Sequence, residues 1–258
     1  MSSKPDFVHG SVWMRPPRTR GGQPTLGREQ IVRAAIELLD ADGATGLSMR
    51  RLGSHLGAGA TSLYWHVSNK DELLELALDE GLGEVYVPEP GDAPWRISVS
   101  VFANSTRATL LRHPWMIGLL GIKPTLGPNA MRMGDRLVAL LTTAGFTGFA
   151  MAHVSSLIHA HAIGAATIQA AIAAGLGQGN APVSEVLKDI EPYLEKIAPE
   201  HPHYDQWRRE NPLTGFSPQQ LWDDGFAFGL ERILDGLEHW LAAGQPLTQA
   251  PRPATDWA

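Results

Sequence analysis

The sequence predicts an all-α fold, and three observations predict it. Apolar residues recur at three- and four-residue spacing along most of the chain. Capping residues and Pro/Gly breaks mark where each periodic run begins and ends. No segment alternates apolar and polar residues as a half-buried strand would, and no internal repeat is present.

Residues 1–25, rich in Pro, Gly and Ser and carrying Arg15, Arg18 and Arg20, read as a flexible basic arm. From Arg28 the apolar set Ile31, Ala34, Ala35, Leu38 and Leu39 forms one helical stripe, which Gly43 stops. Ser48 is a good N-cap for a short second helix ending at Leu56-Gly57. A third is expected over 60–67. Ser68-Asn69-Lys70-Asp71 then opens a longer apolar helix, with Ser68 as the expected cap. Pro88, Pro90, Gly91 and Pro94 punctuate the chain beyond it. Further helices are expected at 94–112, 115–121, 128–145, 149–175, 184–197 and 218–243, with Ser217-Pro218-Gln219-Gln220 as a capping box. The stretch 198–216 reads as a surface loop. The expected units are a helix-turn-helix domain at 26–72, a larger helical body at 73–245 and a tail at 246–258.

Composition narrows the function. Without cysteine there is no disulfide, thiolate metal site or cysteine nucleophile. The start lacks the apolar run of a signal peptide. No 18-residue stretch is expected to span a bilayer, the longest candidate, 149–176, being broken by three histidines. A cytoplasmic protein without a membrane partner is therefore expected. The net charge of −6 excludes a chain that is basic all over, but the charge is unevenly spread. Residues 15–70 hold eight Lys and Arg against four Asp and Glu, a net +4; residues 71–258 hold twelve against twenty-two, a net −10. A basic head on an acidic body points to an anionic partner for the head.

The informative segment is 48–67. Two short helices separated by Gly57-Ala58-Gly59 suit a helix-turn-helix crossing. On the third helix Leu63 and Val67 share one face, Thr61, Tyr64 and Trp65 the opposite one, with Ser62 and His66 at its flank. The outward face, of hydroxyls, aromatic rings and an imidazole, suits entry into a major groove. Packing of Tyr64 and Trp65 against a neighbouring helix is the competing reading.

The run Leu63-Tyr64-Trp65-His66-Val67, then Asn69-Lys70, resembles the recognition-helix signature of the tetracycline-repressor (TetR) family of bacterial transcriptional regulators. The resemblance extends back through Gly43 and Leu47–Leu52 and covers about 28–80. A weaker likeness appears in Leu110–Pro114, Gly121–Pro124 and Phe226–Leu237. It implies double-stranded operator DNA as partner. Arg50 would read a guanine edge, with Ser48 at the start of its helix, and Ala60, Thr61 and Ser62 would face bases. Tyr64, Trp65, His66 and Lys70 would meet the phosphate–sugar backbone. Ala60 replaces a polar residue of the tetracycline repressor, so a different operator is expected.

The resemblance also implies a homodimer on a palindromic operator and a ligand-binding body. Small residues at 160–174 and the broadly apolar last helix suit a four-helix dimer interface, with Gly164, Ile168, Trp222, Phe226, Leu230 and Leu234 as candidates. Pocket candidates are Tyr86, Phe102, Thr106, Met116, Leu120, Met133, Leu137, His153 and Ser156, each of which could equally be core. Where the tetracycline repressor has a metal-binding histidine and polar groups, this chain has Tyr86, Phe102 and Thr106, so an apolar or aromatic effector is expected in place of tetracycline–magnesium. No metal or cofactor is expected: His159 and His161 point about 200° apart on a helix, and Gly175–Gly179 lacks the preceding strand of a dinucleotide fingerprint. The sequence thus implies a repressor released by a small molecule. An effector-independent or activating regulator and, with no catalytic constellation to support it, an α-helical enzyme remain as alternatives.

Overall fold

The computed structural model describes residues 11–14, 27–175, 183–212 and 217–244. Ten α-helices account for most of them: α1 Arg28–Gly46, α2 Met49–His55, α3 Ala60–Tyr64, α4 Lys70–Leu82, α5 Trp95–Arg112, α6 Pro128–Thr143, α7 Phe149–Gly175, α8 Val183–Ile197, α9 Pro202–Glu210 and α10 Pro218–Ala242. No β-strand occurs among the described residues.

The helix ends follow their capping chemistry. Gly43, at φ 66°, breaks the α1 path where the apolar stripe runs out. The Ser48 side chain accepts from Arg51 N, and Ser217 and Gln220 close a reciprocal box at α10. The α4 cap is one residue later than expected: Asn69, not Ser68, accepts from Glu72 N, while the Glu72 carboxylate returns to Ser68 N.

Four expectations are corrected. α3 ends at Tyr64, because Trp65 and His66 turn to bring Val67 into the core. The expected helix at 115–121 is a 3-10 turn, Pro114–Met116, followed by further turns. The expected loop at 198–216 contains α9, an exposed helix held by Asp205 pairing with Arg208 at 2.8 Å and Arg209 at 2.7 Å. Part of the arm is docked: Val12–Met14 form a 3-10 turn against the first core cluster. Arg15, Arg18 and Arg20, the Ala60 and Thr61 side chains, residues 176–179 and the tail at 246–258 lie outside what is described.

Two clusters form the core. The first joins α1–α4 to Leu110, Trp115, Met116, Leu119 and Ala130 of the body. The second lies between α5, α6, α7 and α10, around Phe102, Phe146, Ile158 and Leu234. α7 is the body's central helix, packed on α5 and α10. Against expectation, it is long and apolar enough, by length and composition, to cross a bilayer. Its place in the fold supplies another reason for that composition. Ala162 and Ala166 are buried against its neighbours, and a Cβ at Gly229 of α10 would lie 2.5 Å from the His161 ring. Only small residues permit so close an approach.

Candidate operator interface and effector cavity

The head is built so that α3 presents one face and buries the other. Leu52, Leu63 and Val67 are fully buried. Gly57, at φ 62°, makes the turn between α2 and α3 that glycine adopts without strain. On the other face Ser62 is exposed, His66 half-buried, Tyr64 48% exposed and Trp65 77% exposed. Neither aromatic ring is part of the buried core. On α2, Ser48 and Arg50 are exposed. Arg51 beside it is committed, pairing with Asp42 and donating to the Gly46 carbonyl at 3.3 Å. The Lys70 ammonium donates to the Ala44 carbonyl at 2.7 Å and closes the end of α1, with two further donors left for another partner.

Below the head lies a cavity of about 150 Å³. Leu82 and Val85 line it from α4 and the segment after it, Thr106 and Leu110 from α5, Ala130 and Met133 from α6, His159 and Ile163 from α7. Met116, Leu120 and Thr125 complete it from the α5–α6 connection. Its polar groups are few: Thr106, Thr125 and His159. The Thr106 hydroxyl donates to the Phe102 carbonyl at 2.9 Å. His159 Nδ1 donates to the Ser155 carbonyl at 2.8 Å, leaving Nε2 of the neutral ring as an acceptor. Met116 also touches α4: a Cβ at Gly81 would lie 2.7 Å from its sulfur.

Thr106, Met116, Leu120 and Met133 thus come together as expected for a pocket. The other pocket candidates do not. Phe102 and Leu137 are buried in the second core cluster. Tyr86 is 56% exposed, with its backbone N–H donating to Ser105 Oγ at 2.8 Å. His153 and Ser156 face outward on α7. Leu82, Val85, Leu110, Thr125, Ala130, His159 and Ile163 were missed. For α5 the signal was there, because Leu110 lies one turn from the candidate Thr106.

The dimer candidates divide likewise. Phe226, Leu230 and Leu234 turn into the protomer's own core, where a partner helix could not reach them. Trp222 and Gly164 are half-buried. Ile168 is 62% exposed and by helical spacing shares an outward face of α7 with Leu157 and Ile172, while Phe228 on α10 is 66% exposed. Behind that face Arg107 binds α10 to α5 and α7, donating to Asp223 at 2.8 Å and Gln169 at 2.6 Å. Its guanidinium holds the Asp223 carboxyl below the usual aspartate range, with the Gln219 hydrogen bond adding to the effect.

Comparison with known proteins agrees with this architecture. Residues 31–77 match the model of bacterial regulatory proteins of the tetR family, and residues 87–241 match the tetracyclin repressor-like C-terminal domain. A curated HTH-type transcriptional repressor, DrrR1 of Streptomyces coeruleorubidus, is 37% identical over 227 residues, covering 85% of this chain and 80% of that protein. An HTH-type transcriptional regulator of Saccharopolyspora erythraea is 45% identical over 145 residues, covering 56% of this chain and 61% of its own length. Among solved structures, the TetR family protein ActR of Streptomyces coelicolor in complex with actinorhodin superposes with a TM-score of 0.68 at 32% identity, covering 86% of this chain and 99% of ActR. The chain therefore belongs to the TetR family of bacterial transcriptional regulators, and is a DNA-binding regulator, not an enzyme.

Proposed function

We propose that the protein is a homodimeric repressor of a palindromic operator, acting in the bacterial cytoplasm without a membrane partner and released by a small effector that fills the cavity beneath α4. Residues 26–72 serve as the DNA-binding head and 73–245 as the ligand-binding and dimerisation body, with the arm at 1–25 and the tail at 246–258 outside both. Arg50 reads a guanine edge. Ala60, Thr61 and Ser62 face bases, and Tyr64, Trp65 and His66 fix register on the backbone.

The contact that carries this reading is Met116, which borders the cavity on one side and lies against Gly81 of α4 on the other. A ligand-bearing cavity measures roughly 300–1,000 Å³, more than the volume present, so filling it displaces Met116 and with it the helix that carries the head. The two recognition helices of a dimer must sit about 34–36 Å apart to meet successive major grooves, and a tilt of α4 spoils that spacing. The effector need only prefer the tilted form, with an ordinary coupling of about 1–3 kcal/mol.

The lining favours an apolar or aromatic effector that carries a hydroxyl, because Thr106 and His159 retain acceptors and have spent their donors. ActR, with actinorhodin bound, is a relative whose ligand is known.

Gel-shift titration against the DNA upstream of the protein's own gene tests the reading. Fused-ring phenols should release the DNA and their methyl ethers should not, while Met116→Trp, which fills the cavity, should abolish release. Unchanged DNA affinity in both Arg50→Ala and Tyr64→Ala would sink the operator assignment. Absence of release by every phenol tried would favour an effector-independent regulator.

A further inference from the structure

Glu72, Glu75 and Asp79 occupy one face of α4, three and four residues apart, and all three are buried. Each serves a different part of the molecule. Glu72 accepts from Ser68 N at 3.2 Å and lies 3.7 Å from Arg28 of α1. Asp79 caps α6, accepting from Asn129 N at 3.2 Å and Ala130 N at 2.9 Å. Glu75, between them, is turned to the N-terminal arm. Its Oε2 accepts from Ser11 Oγ at 2.8 Å and from Val12 N at 3.0 Å, and these are its partners among the described residues.

Trp13 follows and covers Gly127, the residue before α6. A Cβ at Gly127 would lie 2.6 Å from the Trp13 ring and closer still to Asp79. The arm thus lies across the joint between α4 and α6. It also lies upstream of residue 31, where the family's N-terminal model begins to match.

We propose that residues 11–14 are a brace that holds the α4–α6 joint, and with it the cavity, in its contracted form. This rests on the cavity being the effector site. Leu82 of α4 and Ala130 of α6 both line the cavity, and Ala130 is the residue whose N–H Asp79 holds. Enlarging the cavity to admit a ligand separates these helices, which strips Ser11 from Glu75 or lifts Trp13 from Gly127. The brace is built to let go. The Trp13 indole N–H is buried with no hydrogen-bond partner among the described residues, so release regains a hydrogen bond to water and offsets those lost at Glu75. A ligand that needs the expanded form has its apparent affinity reduced to the fraction of time the brace stands open.

Amide hydrogen exchange on the full-length dimer tests this with Ser11→Ala, which removes one donor, and Ser11→Ala/Trp13→Ala, which removes the brace. Exchange at Asn129 and Ala130 should accelerate about tenfold in the double variant and less in the single one. Exchange within twofold of the unaltered protein in both would overturn the proposal. This readout does not depend on anything binding the cavity, so it fails separately from the effector reading. Titration with 1-anilinonaphthalene-8-sulfonate, with Met116→Trp as the filled-cavity control, gives the second readout. The double variant should bind the probe several-fold more tightly in the control-sensitive mode, whereas faster exchange without that gain would overturn the link from brace to cavity.

Discussion

Arg50 and Arg51 are adjacent on α2 and have different tasks. Arg51 is tied to Asp42 and the end of α1, while Arg50 is exposed with no ion pair among the described residues. Arg50→Ala should weaken operator binding by about 1–3 kcal/mol, the worth of one bidentate guanine contact, with no change in the thermal midpoint. Arg51→Ala should lower stability by no more than about 1 kcal/mol, as for an exposed ion pair. Gel shift and thermal melting separate the two. Sequence alone marked both as basic; which was spoken for depended on Asp42, a neighbour nine residues away that only the folded chain brings near. Asp223 adds a pH dependence. Its carboxyl titrates below the ordinary 3.8, chiefly because Arg107 donates to it. A lowered aspartate pKa contributes stability that is complete above the ordinary value and disappears as pH falls through the lowered one. Asp223→Asn should therefore flatten the fall in denaturation midpoint below about pH 4, by a modest amount because Asp223 is half exposed.

At the α4–α6 joint, glycines set how closely the helices approach. Gly127→Ala would place a methyl inside both Asp79 and Trp13, and overpacking of this kind costs about 1–3 kcal/mol; a denaturant midpoint that did not move would contradict the packing described. The helices themselves were largely legible. α1, α5, α6, α7 and α10 each carry an apolar stripe or a capping signal, and their observed limits lie within a few residues of those expected. α9 was not legible because it buries nothing: its order rests on Asp205, Arg208 and Arg209, and the apolar periodicity that identifies the others is silent there. The recognition face of α3 was readable because the motif is local. The cavity was read only in part, since periodicity tells which face of a helix is inward but not which inward faces meet around a void.

Over the whole molecule, the arrangement of α7 and α10 separates two kinds of apolar residue that look alike in sequence. Phe228 and Ile168 are outward, Leu230 and Leu234 inward. Phe228→Asp or Ile168→Asp should yield a folded monomer in sedimentation velocity at micromolar concentration, whereas Leu234→Ala should leave a dimer destabilised by about 2–5 kcal/mol. A dimer persisting in both Asp variants would place the interface elsewhere. The internal bonds of the head have a consequence for ionic strength. Arg28 and Arg51 are already paired with Glu72 and Asp42, whereas Lys70, donating only to the neutral Ala44 carbonyl, keeps its full charge; Arg33, Arg50 and Lys70 are thus the described head cations without an ion pair among the described residues. Three such cations per head would release few condensed counterions from a duplex, so the described part of the dimer should give a log–log salt slope of only about −5. Any steeper dependence, lost when residues 1–26 are deleted, would measure how many phosphates the arm's own arginines neutralise.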